Sequence, residues 1–169
     1  YDLGEVVLGG DLWSNETTNI GAYVGYGQYS MGEHTSSTSS LSFASKAYHV
    51  GAYGTHDSAN WSMTGMAGFS WANTETTREA ATGSTSNIHN AEYDSRTFEA
   101  AVRAEYTGFK SGGAWQFVPE IGLGYARYNQ DAITETGASG TALTIKDATA
   151  ESLIGSIGIN MTGPKFGGG

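Results

Sequence analysis

Seven stretches of the chain alternate apolar residues with small or polar ones, which predicts seven strands, each with one wet face and one oily face. The clearest spans residues 95–108. Ser95, Thr97, Glu99, Ala101, Arg103, Glu105 and Thr107 share one parity, and Phe98, Ala100, Val102, Ala104 and Tyr106 share the other. A helix divides these residues badly, because a 3.6-residue period mixes Glu99, Arg103 and Phe98. Residues 115–128 repeat the pattern, with Trp115, Phe117, Pro119, Ile121, Leu123 and Tyr125 opposite Gln116, Val118, Glu120, Gly122, Gly124 and Ala126. Residues 152–162 place Leu153, Gly155, Ile157, Ile159 and Met161 opposite Ser152, Ser156, Gly158, Asn160 and Thr162. Four earlier strands centre on Val6 to Leu12, Ile20 to Tyr26, Tyr48 to Ala52 and Trp61 to Trp71. Pro119 has no N–H to give a ladder, so a bulge or local break is expected there.

The gaps between these strands alternate short and long. Residues 14–17, 56–60 and 109–114 are short; residues 29–41, 72–93 and 129–151 are long and polar, the last with a strand extension expected at 141–146. A sheet whose two ends carry different loops faces two different surroundings. Outer-membrane barrels have short periplasmic turns and longer outer loops. The expected fold class is therefore all-β, an antiparallel transmembrane β-barrel. A soluble β-sandwich has no reason to sort its loops by end.

Composition narrows this reading. The chain has 169 residues, a formal net charge of -9, 25 Gly and no Cys. The acidic balance argues against nucleic acid as a partner. Without Cys there are no disulfide staples and no thiolate metal sites. Mean hydropathy is -0.32, and no run approaches the ~20 apolar residues that a membrane helix needs. A barrel tolerates low mean hydropathy because only alternate residues meet lipid. Residues 1–163 read as a partial barrel domain, and 164–169 as a turn followed by a linker or tag remnant.

Glu99, Arg103, Glu105 and Glu120 are the best polar constellation, since antiparallel pairing brings Glu120 toward the other three. As a site they would be acid and base; the plainer expectation is an ion-pair network lining a wet lumen. Trp61, Phe69, Trp71, Phe98, Trp115 and Tyr125 are expected to face lipid or its interfaces. The four His are read as His34 and His89 in long loops, His56 in a short turn and His49 in mid-strand. None has ligand spacing, so no metal site is expected. No Gly-x-Ser-x-Gly elbow is present, and Gly25-Tyr26-Gly27 and Gly122-Leu123-Gly124 lie inside strands and open no helix. No cofactor and no enzymatic activity are expected. The Ser/Thr-rich stretch 35–40 is a candidate sugar-binding loop, with a solvated loop as the default.

Several segments resemble the autotransporter β-domain in order and spacing. They are Tyr48-His49-Val50-Gly51-Ala52-Tyr53-Gly54-Thr55, the following run from Asn60 to Ser70, Asp94 to Ala100, Pro119 to Arg127, and Glu135 to Gly140 with Glu151-Ser152-Leu153. The resemblance implies a twelve-stranded barrel in the outer membrane of Gram-negative bacteria. It also implies type V secretion: export of an N-terminal passenger to the cell surface. The implied partners are outer-membrane lipid, the barrel assembly machinery and the chain's own passenger segment. The loop rhythm makes the first strand descend, so the seven strands fit the second to eighth of twelve. An odd number of antiparallel strands does not close a regular even-stranded barrel, so missing sequence or a partner is expected. The alternative function is a binding module, either a small outer-membrane barrel or a soluble β-barrel or sandwich, that works through its long loops.

Overall fold

In the computed structural model, residues 2–35, 39–82, 85–109, 115–137 and 140–162 are described. Six long strands run in a meander: β1 (Asp2–Ser14), β2 (Thr18–Thr35), β3 (Ser39–Asp57), β4 (Trp61–Thr82), β5 (Thr85–Tyr106) and β6 (Gln116–Gln130). Three short ones follow, β7 (Ile133–Thr134), β8 (Thr136–Gly137) and β9 (Thr144–Ile145), before β10 (Ala148–Thr162). All pairings are antiparallel, in the order β1-β2-β3-β4-β5-β6-β10, with β8 added to β5. Among the described residues β1 and β10 are the two edges of the sheet and do not pair with each other.

Residues opposite one another in a ladder share a face, so the registers sort the side chains. One row runs Val24, Val50, Phe69, Phe98, Arg127, Glu151, and the row below it runs Ala22, Ala52, Ala67, Ala100, Tyr125, Leu153. On the other face, Gly9, Tyr23, Gly51, Gly68, Glu99, Ala126 and Ser152 stand side by side. The first face is apolar and the second polar. From Trp61 to Trp71 the apolar band covers about 34 Å of strand at ~3.4 Å per residue, or ~24 Å along the normal at a 45° tilt. That matches the ~25 Å lipid-facing band of an outer-membrane barrel.

Among the described residues no core covers the apolar face. Among the described residues the only buried ones are Ser40, Ala47, Thr74, His89, Ala91 and three glycines, Gly21, Gly27 and Gly68. Ile157 is 89% exposed and Leu8 70%. A sandwich lays a second sheet on such a face; none is present among the described residues.

The polar face packs by setting tyrosine rings on glycines. A β-carbon at Gly51 would overlap the Tyr23 ring, one at Gly68 would lie 2.5 Å from the Tyr23 hydroxyl oxygen, and one at Gly21 would overlap Tyr53. These glycines are there for close approach and not for a turn. The Tyr53 hydroxyl donates to Asp11 Oδ1 at 2.8 Å, and Asn19 Nδ2 donates to Asp11 Oδ2 at 2.8 Å, so three adjacent strands are tied together.

The short turns form locally. Asn15 Oδ1 accepts from the backbone N–H of Thr17 (2.9 Å) and Thr18 (2.8 Å), the side-chain mimic of a turn that Asn favours. At the next turn Ser58 N–H donates to Trp61 O at 2.8 Å. The Lys110 and Gly112-Gly113 turn lies outside the described residues, as do 36–38 and 164–169.

Four expectations are corrected. The long gaps are mostly ladder: β4 and β5 pair from Trp61↔Tyr106 through to Thr82↔Thr85, and β2 and β3 extend to Thr35↔Ser40. Thr and Asn side chains read as loop, yet lateral pairing satisfies their backbones. In the third gap, β7 and β9 carry on the register of β6 and β10 after a short interruption, and the extension expected at 141–146 is confined to Thr144–Ile145. Pro119 makes no bulge: the β6–β10 ladder passes through Pro119↔Ile159 without a shift, and the β5–β6 ladder ends one residue away at Glu105↔Glu120. The irregularities fall at Asp11/Trp13 and Met31/His34. His34, His56 and His89 lie within β2, β3 and β5 and not in loops or turns.

Candidate functional site: a polar sheet face and a tethered outer hairpin

Strands β5, β6 and β10 build the polar cluster. Glu105 faces Glu120 directly, and Arg103 lies two residues along β5 on the same face. The Arg103 guanidinium pairs with Glu105 (Nη2–Oε1 2.5 Å) and with Glu120. Asn160 on β10 donates to Glu120 Oε2 at 2.9 Å. Two like charges directly opposite destabilise a ladder, and Arg103 between them offsets this. Glu99 shares the face but not the cluster; it stands opposite Gly68, near Tyr23, with no ion pair to Arg103. The Arg103 side chain is 52% exposed, so the group is a hydrated ion-pair network. His49 approaches Glu5 on the same face (Nε2–Oε1 3.9 Å).

Trp61, Phe69, Trp71, Phe98 and Tyr125 stand on the other face. Tyr26, Tyr48 and Trp71 form a continuous row, with ring centroids 5.2 and 5.7 Å apart. Phe69 adjoins Trp71, and Phe98 lies 6.3 Å from Tyr125. At the opposite end Trp61 packs on Tyr106 at 4.9 Å, and Tyr106 on Phe109 at 5.0 Å. Trp115 precedes β6 and is 49% exposed. The aromatics thus form two belts bounding the apolar band.

A third arrangement was not read from the sequence. Beyond the band, the β6–β10 hairpin adds β8 to the edge of β5 and brings Glu135 and Thr141 to Arg78 and His89. Arg78 donates to Glu135 through two nitrogens (Nε–Oε1 2.7 Å, Nη2–Oε2 2.6 Å) and to Thr141 O at 2.9 Å. Leu143 N–H donates to Glu135 Oε2 at 2.7 Å. His89, fully buried, sets Nε2 2.9 Å from Thr141 Oγ1. Gly137 pairs with His89 at φ 147°, where a β-carbon would overlap Ile88 O, so only glycine fits there. The Arg78 guanidinium, with the Leu143 N–H and the nearby His89, outweighs burial and holds the Glu135 carboxyl down at about 2. The missed signal was parity: Ser70, Ala72, Thr74, Thr76 and Arg78 continue one face of β4.

Residues 1–165 match the family described as Autotransporter beta-domain. The chain belongs to that family. It is an autotransporter β-domain of the bacterial outer membrane, and its bare apolar band is the surface such a location requires. No curated protein sequence matches it. Among solved structures, the β-domain is similar in fold to the "Translocator domain of autotransporter NalP from Neisseria meningitidis", with a TM-score of 0.58 and 18% identity. The match covers 94% of this chain and 53% of that one, so the chain spans about half the length of the solved domain.

Proposed function

We propose that the polar face of this β-domain lines a water-filled lumen through which the protein's own passenger segment passes, and that the apolar face meets outer-membrane lipid. The carrying observation is a single-layer sheet with one bare apolar face and one hydrated face built on Arg103, Glu105, Glu120 and Asn160. Glu99 extends the wet surface past the Tyr23 ring. Lumenal charges hold water and present both signs to a sliding chain, so no stretch of passenger binds tightly. The work is that of a pore and scaffold, with no bond made or broken.

Trp61, Phe69, Trp71, Phe98, Trp115 and Tyr125 anchor the barrel at the two lipid interfaces. Among the described residues the outer sides of β1 and β10 pair with no strand, and such ladder groups must find partners before the barrel rests in lipid. The barrel assembly machinery is the partner expected to bring that about.

The test is site-specific crosslinking in the full-length protein during export. A photo-crosslinker at Glu99 should capture passenger, and one at Val102 should capture lipid. Passenger captured from Val102 and not from Glu99 would refute the assignment.

A further inference from the structure

On three strands of the apolar face, a cation stands one step outside an aromatic belt residue. The pairs are Lys46 and Tyr48 on β3, Arg96 and Phe98 on β5, and Arg127 and Tyr125 on β6. The registers confirm a common face: Arg127 lies opposite Phe98, and the row of Tyr48 and Trp71 ends on Arg96. All three cations are exposed. Lys46 and Arg96 have no ion pair among the described residues, and Arg127 has a loose one, Nε to Glu151 Oε1 at 3.6 Å.

The layer is thin and ordered. Along the outward face of β5 the residues read Val102, Ala100, Phe98, Arg96, Asp94, Glu92, passing from apolar to aromatic, cation and carboxylate. Asp94 already accepts from Asn73 Nδ2 at 3.1 Å, as Glu92 does at 2.8 Å. On β5 the carboxylates therefore sit outside the cation, while Glu151 on β10 stands level with Arg127; each cation lies one residue step above a belt ring on its own strand. That is the depth of lipid headgroups. In a chain of net charge -9, ordinary solvation gives no reason to gather three of its cations at that height.

Spacing points to a ligand with more than one phosphate. Arg96 and Arg127 are one strand and two residues apart, about 8 Å between Cα atoms, close enough for both side chains to hold one phosphate. Lys46 is two strands and two residues from Arg96, about 12 Å, which suits a second phosphate. Below Arg127, on β4, β5, β6 and β10, lies an apolar groove of about 580 Å³ lined by Met63, Val102, Ala104, Ile121, Leu123 and Ile157. Ile121 is six residues from Arg127, about 14 Å along the membrane normal at a 45° tilt. An acyl chain hanging from a headgroup at Arg127 reaches it.

We propose that Lys46, Arg96 and Arg127 form a binding belt for the headgroup of a membrane glycolipid carrying two phosphates, with an acyl chain in the groove beneath Arg127. The proposal rests on the lipid-facing reading above and names the lipid. The test uses full-length protein in zwitterionic nanodiscs doped with a bisphosphorylated glycolipid or its dephosphorylated form. Retained glycolipid is counted by native mass spectrometry. Each cation removed is expected to weaken retention about fivefold, and Lys46→Gln/Arg96→Gln/Arg127→Gln on the order of a hundredfold. The dephosphorylated lipid should bind native protein as weakly as the triple variant binds the phosphorylated one. Equal retention by native and triple variant, or of the two lipids, would overturn the proposal while leaving the lipid-facing reading intact. Inorganic phosphate that binds native protein and displaces the glycolipid at equal concentration would also overturn it, by making free phosphate the ligand. Failure of native protein to enter the nanodiscs overturns both readings. Insertion of the triple variant into undoped nanodiscs, with native heat-modifiability on gels, confirms that it folds.

Discussion

Replacing Glu135 with Gln should open the outer hairpin without unfolding the sheet. Glu135 accepts three hydrogen bonds, two from Arg78 and one from Leu143 N–H, and its side chain is only 10% exposed. Its pKa lies at about 2 against an ordinary 4.5. Such a depression converts to roughly 3 kcal/mol in full, and water around an outer hairpin reduces it to about 1–2 kcal/mol. The opening equilibrium of the β7–β9 hairpin should therefore rise about 5- to 30-fold. Hydrogen exchange followed by mass spectrometry reads this directly: peptides covering 133–145 should exchange faster by that factor, while those covering 95–105 stay unchanged. The pH dependence has a definite sign. The folded pKa lies below the unfolded one, so the latch is fully present above about pH 4.5 and is lost progressively as pH falls toward 2. Native protein at pH 3, corrected for intrinsic exchange, should move toward the variant. Unchanged exchange in the variant, or equal protection of native protein at pH 3 and pH 6, would refute the reasoning.

Gly51→Ala places a methyl in the Tyr23 ring and should cost about 1–3 kcal/mol, measured as a lower urea midpoint; Gly10→Ala, with open space around its β-carbon, is the control. Phe69→Lys should cost about 2–4 kcal/mol in lipid, whereas Ser70→Lys on the polar face should cost less than half as much in the same assay. Arg103→Met leaves Glu105 and Glu120 opposite each other and should raise the cation selectivity of single-channel currents, while stability falls by no more than about 1 kcal/mol because the cluster is hydrated.

The face of each side chain was legible because a strand's period of two is written residue by residue. Glu99, Arg103 and Glu105 had to share a face once β5 was recognised, and Glu120 followed from pairing the next strand. Strand ends were less legible. Thr74, Thr76 and Thr77 with Glu75 and Glu79 read as polar loop, although Thr favours strands and the parity of β4 runs unbroken to Arg78. Pro119 was over-read, because a missing N–H matters only where a ladder needs it. The Arg78–Glu135 latch was not legible at all. Its partners are 57 residues apart in the chain, and they meet only because the β6–β10 ladder resumes after its interruption and β8 pairs with the edge of β5. Tyr23 over Gly51 and Gly68 was hidden for the same reason, since ring placement depends on the register of three strands together.

The central claim is that one face of this sheet is wet and the other lies in lipid. Ala101 and Val102 are neighbours on β5, midway across the apolar band, on opposite faces. Single cysteines at these two positions, in the full-length protein in membranes, are reacted with a membrane-impermeant maleimide. Ala101→Cys should label and Val102→Cys should not; equal labelling, or the reverse order, would contradict a wet face opposite a lipid face.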